Sequence, residues 1–191
     1  MFEGPAVFVD IETNGGSGES GRITEIAIIR VEDGQITDEF TSLVNPGSPI
    51  PYWITNLTGI TNTDLADAPY FDEIAAQVSS ITEGAIFVAH NVRFDFSFIK
   101  RQLEACGYTF KPKLFCTVRM SRAMYPEHKG HSLQKIIERH NIPVSSRHRA
   151  YDDAKAMLDF AKLAIAEKGH ELFLQSVATQ LKTKTLPPNV S

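Results

Sequence analysis

The sequence predicts an α/β protein in which a mixed sheet carries helices on its faces. Before residue 45 the chain runs through three apolar, β-rich stretches separated by turn residues. After it, stretches with helical spacing alternate with short, wholly apolar runs. The length of 191 residues, 42% hydrophobic and 22% charged, suits one domain with a sizeable core.

The first strand is Val7-Phe8-Val9-Asp10-Ile11-Glu12-Thr13, broken by Asn14-Gly15-Gly16. The second is Ile23-Thr24-Glu25-Ile26-Ala27-Ile28-Ile29, and Asp33-Gly34 signals a hairpin into a third strand at Ile36 and 39–44. These three form an antiparallel meander. Helices are expected from Asp64 onward and over 70–81. Ala85-Ile86-Phe87-Val88-Ala89 reads as a central strand covered on both faces. A helix over 95–106, a short strand Leu114-Phe115-Cys116 and a helix over 117–125 follow. Ser132 caps a helix over 132–140. A long helix over 150–168 stops at Gly169, and a last one runs to about residue 182. The domain is thus 1–181. Residues 182–191, with Pro187-Pro188, read as a tail or the start of a linker.

The chemistry lies in acids placed where apolar residues belong. Side chains alternate along a strand, so Asp10 and Glu12 point the same way. A lone D-x-E is more often a strand running into a solvated turn, but two helices repeat the anomaly. Phe98, Ile99, Leu103 and Cys106 share one helical stripe, and Asp95 opens it. Met157, Phe160, Ala161 and Ala164 share another, and Asp153 lies on it, whereas Asp152 and Asp159 do not share that face so well. A carboxylate on an apolar stripe needs a partner. Met at one end of the sheet, Asp10, Glu12, Asp95 and Asp153 offer oxygen ligands for two divalent cations such as Mg²⁺ or Mn²⁺, the arrangement used for in-line displacement at phosphorus. His148, in the polar loop 145–149, could take a proton from water near neutral pH. His90 ends a buried strand and reads as a structural hydrogen-bonder.

Bulk properties exclude some classes. The net charge of −4 argues against coating nucleic acid by bulk electrostatics, though not against an enzyme acting on an end. No apolar run is long enough to span a membrane, and the N-terminus lacks the basic start and apolar stretch of a signal peptide. Two cysteines, Cys106 and Cys116, make neither a disulfide framework nor a zinc spacing, so a cytoplasmic setting is expected.

Asp10-Ile11-Glu12-Thr13, His90-Asn91-Val92-Arg93-Phe94-Asp95 and His148-Arg149-Ala150-Tyr151-Asp152-Asp153 resemble, in order and spacing, the three motifs of the DEDDh 3′→5′ exonucleases. Leu57-Thr58-Gly59-Ile60-Thr61 is similar to the family's element between the first two motifs. The nearest kin look to be the proofreading epsilon subunit and the exonuclease domain of bacterial DNA polymerase III. The resemblance implies a ribonuclease-H-like fold with a five-stranded mixed sheet, release of nucleoside 5′-monophosphates from DNA 3′ ends, Asp10, Glu12, Asp95 and Asp153 as metal ligands, and His148 as general base. It puts Thr13 and Asn14 by the 3′-terminal nucleotide and Asn91 by the site floor. Thr58 stands where many proteobacterial epsilon subunits have His, which changes how the terminal nucleotide would be gripped. Trp53, near this element, reads as a stacking platform for a base or as a core residue.

Implied partners are a single-stranded 3′ end, DNA rather than RNA, and a polymerase subunit or a fused nuclease domain. The motifs equally fit an RNA 3′-end trimmer resembling ribonuclease T or oligoribonuclease. A catalytically silent nucleic-acid-binding or scaffold module is a further alternative, set back by intact residues at all five catalytic positions.

Overall fold

A computed structural model describes residues 1–16 and 21–181. The tail expected over 182–191 lies outside these. The three-stranded meander forms as expected from β1 (Ala6–Thr13), β2 (Ile23–Glu32) and β3 (Gln35–Leu43). Asp33 and Gly34 both take positive φ, +50° and +80°, the turn whose twist matches the two strands it joins. β4 (Ile86–Ala89) and β5 (Leu114–Cys116) extend the sheet in parallel, giving the order β3-β2-β1-β4-β5. The sheet is therefore five-stranded and mixed.

Period-two alternation sends the two faces of β1 into separate cores. Phe8, with Ala27, Ile29, Val31, Val88 and Phe115, packs under α5 (Thr117–Met124), α6 (Leu133–His140), α7 (Ala150–Lys168) and α8 (His170–Leu181). Val7, Val9 and Ile11, with Ile26, Ile28 and Phe87, pack under α3 (Phe71–Thr82) and α4 (Arg93–Ala105). Each such buried side chain contributes about 1.5–3 kcal/mol, which fixes the register: a one-residue slip would exchange the two faces. Asp10 and Glu12 share the parity of Phe8 and so turn toward the α7 face. Ser132 caps α6 by accepting from the Lys135 backbone N–H at 3.4 Å, as its sequence position suggests.

A further helix was not expected from the sequence. α1 (Tyr52–Thr58) begins at Pro51 and stops at Gly59, whose φ is +75°. It buries only Ile54 and Thr58. Two turns of helix are too short for a 3.6-residue repeat to register, and the preceding Pro-Ile-Pro reads as loop. With α2 (Asn62–Ala66), opened by a Thr61–Asp64 capping box, it forms a small satellite core of Ile50, Ile54, Ile60 and Leu65.

Since β1 and β4 are parallel neighbours, both end at the same edge of the sheet. β1 runs there into Asp10–Glu12, and β4 runs into the turn that starts α4. At that edge an α/β sheet presents its crevice. A wide cleft lined by Ser79, Thr82, Lys111 and Lys113 lies at the opposite edge, away from these acids. Among the described residues no helix is long and apolar enough to cross a membrane.

Candidate active site

Asp10 and Glu12 occupy the last turn of pleat in β1, just before a bulge between Glu12 and Thr13. Asp95, 3% exposed, reaches them from the first turn of α4, and Asp153, 5% exposed, from the first turn of α7. Backbone N–H groups of Asp95 and Ile11 face the Asp95 carboxylate, tying it to β1. Glu12, Asp153 and His148 each place a ligand atom within 4.8 Å of the others. The structure thus brings together all five residues expected at the reacting centre.

Their electrostatics are those of crowded acids. Burial pushes the Asp10 carboxyl well up, and the Asp95 and Glu12 charges add to this. Burial, then the Glu25 charge, pushes Glu12 up to about 8. Asp95 also rises to about 8, by burial. Acids that resist ionisation until a counter-charge arrives, and that converge with several carboxylate oxygens, fit a hard divalent cation. Burial, and secondly the neighbouring Arg147 charge, holds His148 below the usual histidine range. Its imidazole is therefore neutral near pH 7 and able to accept a proton. Its φ of +59° turns the loop so that the side chain reaches the acids.

Two participants were missed in the sequence. Arg147 forms an ion pair with Asp153, and its charge eases Asp10 and Glu12. Glu25 lies directly across from Glu12 on β2 and is 3% exposed. It accepts from Arg149 Nη2 at 2.7 Å, from Arg149 Nε at 3.0 Å and from the Ala150 backbone N–H at 2.9 Å. An acid inside the largely apolar run Ile23–Ile29 was the available signal for Glu25. Arg147 carried none beyond its place beside His148.

The residues expected to meet a nucleotide divide. Trp53 is 58% exposed, so the core reading is excluded. Its ring edge would lie 3.2 Å from a Cβ at Gly15, which puts it over the loop leaving β1, beside Thr13 and Asn14. Thr13 is buried and its hydroxyl accepts from the Gly15 N–H at 3.3 Å, while Asn14 Oδ1 accepts from the Arg22 N–H at 2.8 Å. Both shape the loop. Thr58 is buried, and its hydroxyl is engaged within the chain, donating to the Ile54 carbonyl at 2.9 Å and accepting from the Ile60 N–H at 3.1 Å. It closes α1 and does not present its hydroxyl to the site. Asn91 is exposed at φ +70°, in the turn that starts α4. His90 is structural, as expected: Nδ1 pairs with Thr117 Oγ1 at 2.9 Å, and burial holds it down to about 4.

Comparison with known proteins gives this geometry a setting. The family model described as Exonuclease (RNase_T) matches residues 7–160. The chain is 35% identical over 178 residues to the PolC-type DNA polymerase III of Clostridium perfringens, covering 93% of this chain and 12% of that protein. It is 36% identical over 168 residues to the 3′-5′ exonuclease DinG of Bacillus subtilis, covering 87% and 18%. The chain therefore spans less than a fifth of either relative's length. Exonuclease X, solved with 5′ overhanging duplex DNA, superposes with a TM-score of 0.63 at 26% identity over 88% of this chain and 99% of that one. E. coli exonuclease I, solved with a dA16 oligonucleotide, superposes with a TM-score of 0.80 at 19% identity over 92% of this chain and 43% of that one, a likeness of fold.

Proposed function

The chain belongs to the exonuclease family matched across residues 7–160, and from that premise we propose that it is a metal-dependent 3′→5′ exonuclease of proofreading or repair type. It would remove nucleoside 5′-monophosphates from DNA 3′ ends. The observation that carries the reading is the meeting of Asp10, Glu12, Asp95 and Asp153 with a neutral His148 at one edge of the sheet.

Asp10, Glu12, Asp95 and Asp153 would hold two divalent cations, Mg²⁺ or Mn²⁺. When bound, such ions lower the cost of generating hydroxide and of releasing the 3′ oxygen. His148 accepts the proton of the attacking water at an imidazole nitrogen and returns it to solvent. Asp95 and Asp153, buried at helix starts, fix the ligand set to the scaffold. Trp53 gives the terminal bases a stacking face that needs no sequence contact, while Thr13 and Asn14 shape the loop beneath it. The likeness to exonuclease X, solved with DNA, favours DNA over RNA. The likeness to the PolC-type polymerase supports a replicative or repair setting, with a polymerase or a fused catalytic domain as partner.

The test is digestion of 5′-labelled single strands of DNA and RNA with Mg²⁺ or Mn²⁺, with chelator, and with Asp10→Ala. A metal-dependent ladder shortening from the 3′ end, faster on DNA and abolished in the variant, is expected. A faster RNA ladder would reassign the substrate. No cleavage of either strand would overturn the enzymatic reading in favour of a silent binding module.

A further inference from the structure

Arg147 has a place in the site that the exonuclease chemistry does not require. Its guanidinium pairs with Asp153, and its side chain is only 23% exposed. Among the described residues it is the cation that eases Asp10, and with Arg149 it eases Glu12. Arg149 is committed elsewhere, since its Nε and Nη2 both donate to Glu25. Arg147 is also held from behind. Its Nε donates to Gln134 Oε1 on α6 at 3.0 Å, and Gln134 Nε2 donates on to Glu138 at 2.6 Å.

A guanidinium and a divalent cation make the same demand on Asp153, namely the outward lone pairs of its carboxylate. Packed within a few ångströms in a partly buried site, they also repel one another. The two occupancies therefore compete. Resting on the reading of these acids as the metal site, we propose that Arg147 is a built-in competitor for the metal: it pairs with Asp153 until a divalent cation displaces it, and it thereby sets the metal concentration at which the site fills. The Gln134 anchor gives the displaced side chain a defined place on the α6 side. The Glu25–Arg149 lock lets it leave without shifting α7.

Arg147→Met removes the competitor, and Arg147→Lys keeps the charge but loses both the fork and the Nε that Gln134 holds. Mn²⁺ binding to the chelator-treated chain, followed by calorimetry, reads the competition without any turnover. Arg147→Met is expected to bind Mn²⁺ on the order of tenfold more tightly than wild type, with Arg147→Lys between them. A second readout is the Arg147 Nε–Hε NMR signal of the wild-type chain, assigned by its loss in Arg147→Met. It is expected to move as Mg²⁺ saturates the site. Equal or weaker Mn²⁺ binding by both variants overturns the proposal while leaving the metal reading standing. A tighter variant with an Nε–Hε signal that ignores Mg²⁺ also overturns it, because simple long-range repulsion would then suffice. No Mn²⁺ binding by wild type and both variants alike would overturn the metal reading, and the proposal with it. Because Arg147→Lys also lacks the Nε–Hε group and supplies the same assignment, the proposal stays falsifiable even if Arg147→Met does not fold.

Discussion

Glu25 and Arg149 are joined across the gap between β2 and α7 by a two-pronged ion pair, 2.7 Å at Nη2 and 3.0 Å at Nε, with the Ala150 N–H bound to the same carboxylate. This contact fixes where α7 begins, and hence where His148 and Asp153 stand relative to β1. The two partners are unequal: the Glu25 side chain is 4% exposed and that of Arg149 43%. Removing the arginine strands a buried carboxylate, whereas neutralising the acid leaves an arginine that water can reach. Arg149→Met should therefore cost more, about 2–4 kcal/mol, than Glu25→Gln, about 1–2 kcal/mol. Urea unfolding of both variants measures the order. A reversed order would place the contact's value in the carboxylate's bond to the Ala150 N–H.

His148 is expected to act on the proton and not to hold the metal. His148→Ala should lower kcat by about 10²–10⁴-fold, the usual worth of a positioned base. Its affinity for Mn²⁺ should stay close to that of wild type. Since Glu12 and Asp153 lie within 4.8 Å of the imidazole, a shared ligand role is the competing reading. Loss of Mn²⁺ binding in calorimetry would assign that role.

The legible and illegible parts of the chain divide by range. Asp33-Gly34 announced its hairpin because the turn's chemistry is local, and β4 announced itself as a central strand because burial on both faces leaves no polar residue in the run. Asp95 and Asp153 were readable because an acid on an apolar helical stripe breaks a pattern within one segment. The Glu25–Arg149 pair spans 124 residues, and nothing local to either residue names the other. α1 failed for a different reason, being too short to show a period. Thr58 could not be placed from the sequence, because its hydroxyl is taken up by the backbone of Ile54 and Ile60, a matter of how α1 ends.

Trp53 lies exposed beside Gly15 of the loop that follows Glu12 and Thr13. Stacking of one base on an aromatic ring is worth about 1–3 kcal/mol. Trp53→Ala should weaken binding of a single-stranded 3′ end by roughly 5–150-fold, with little change in unfolding stability because so little of the ring is buried. Trp53→Phe should restore most of the loss. Fluorescence anisotropy of labelled DNA reads the binding, and a large fall in stability would instead make the ring a support for the Gly15 loop.

The raised acids make stability depend on pH, with a sign set by their direction. Glu12 and Asp95 titrate near 8 in the folded chain and near 4 when unfolded. Between those values the folded state holds more protons than the unfolded one. Their contribution is therefore fully present below about pH 4 and is lost as pH rises toward 8. The chelator-treated chain should accordingly lose Tm from this cluster between about pH 5 and 8. Asp95→Asn, which has no charge to suppress, should flatten that slope. Divalent cations act in the opposite sense, because only the ionised acids bind them. Added Mg²⁺ should raise Tm more at pH 8 than at pH 5.5, since proton release no longer opposes binding at the higher pH. Scanning fluorimetry with and without Mg²⁺ across this range measures both effects. A Tm gain from Mg²⁺ that is equal at both pH values would show that these carboxylates do not give up protons to the metal.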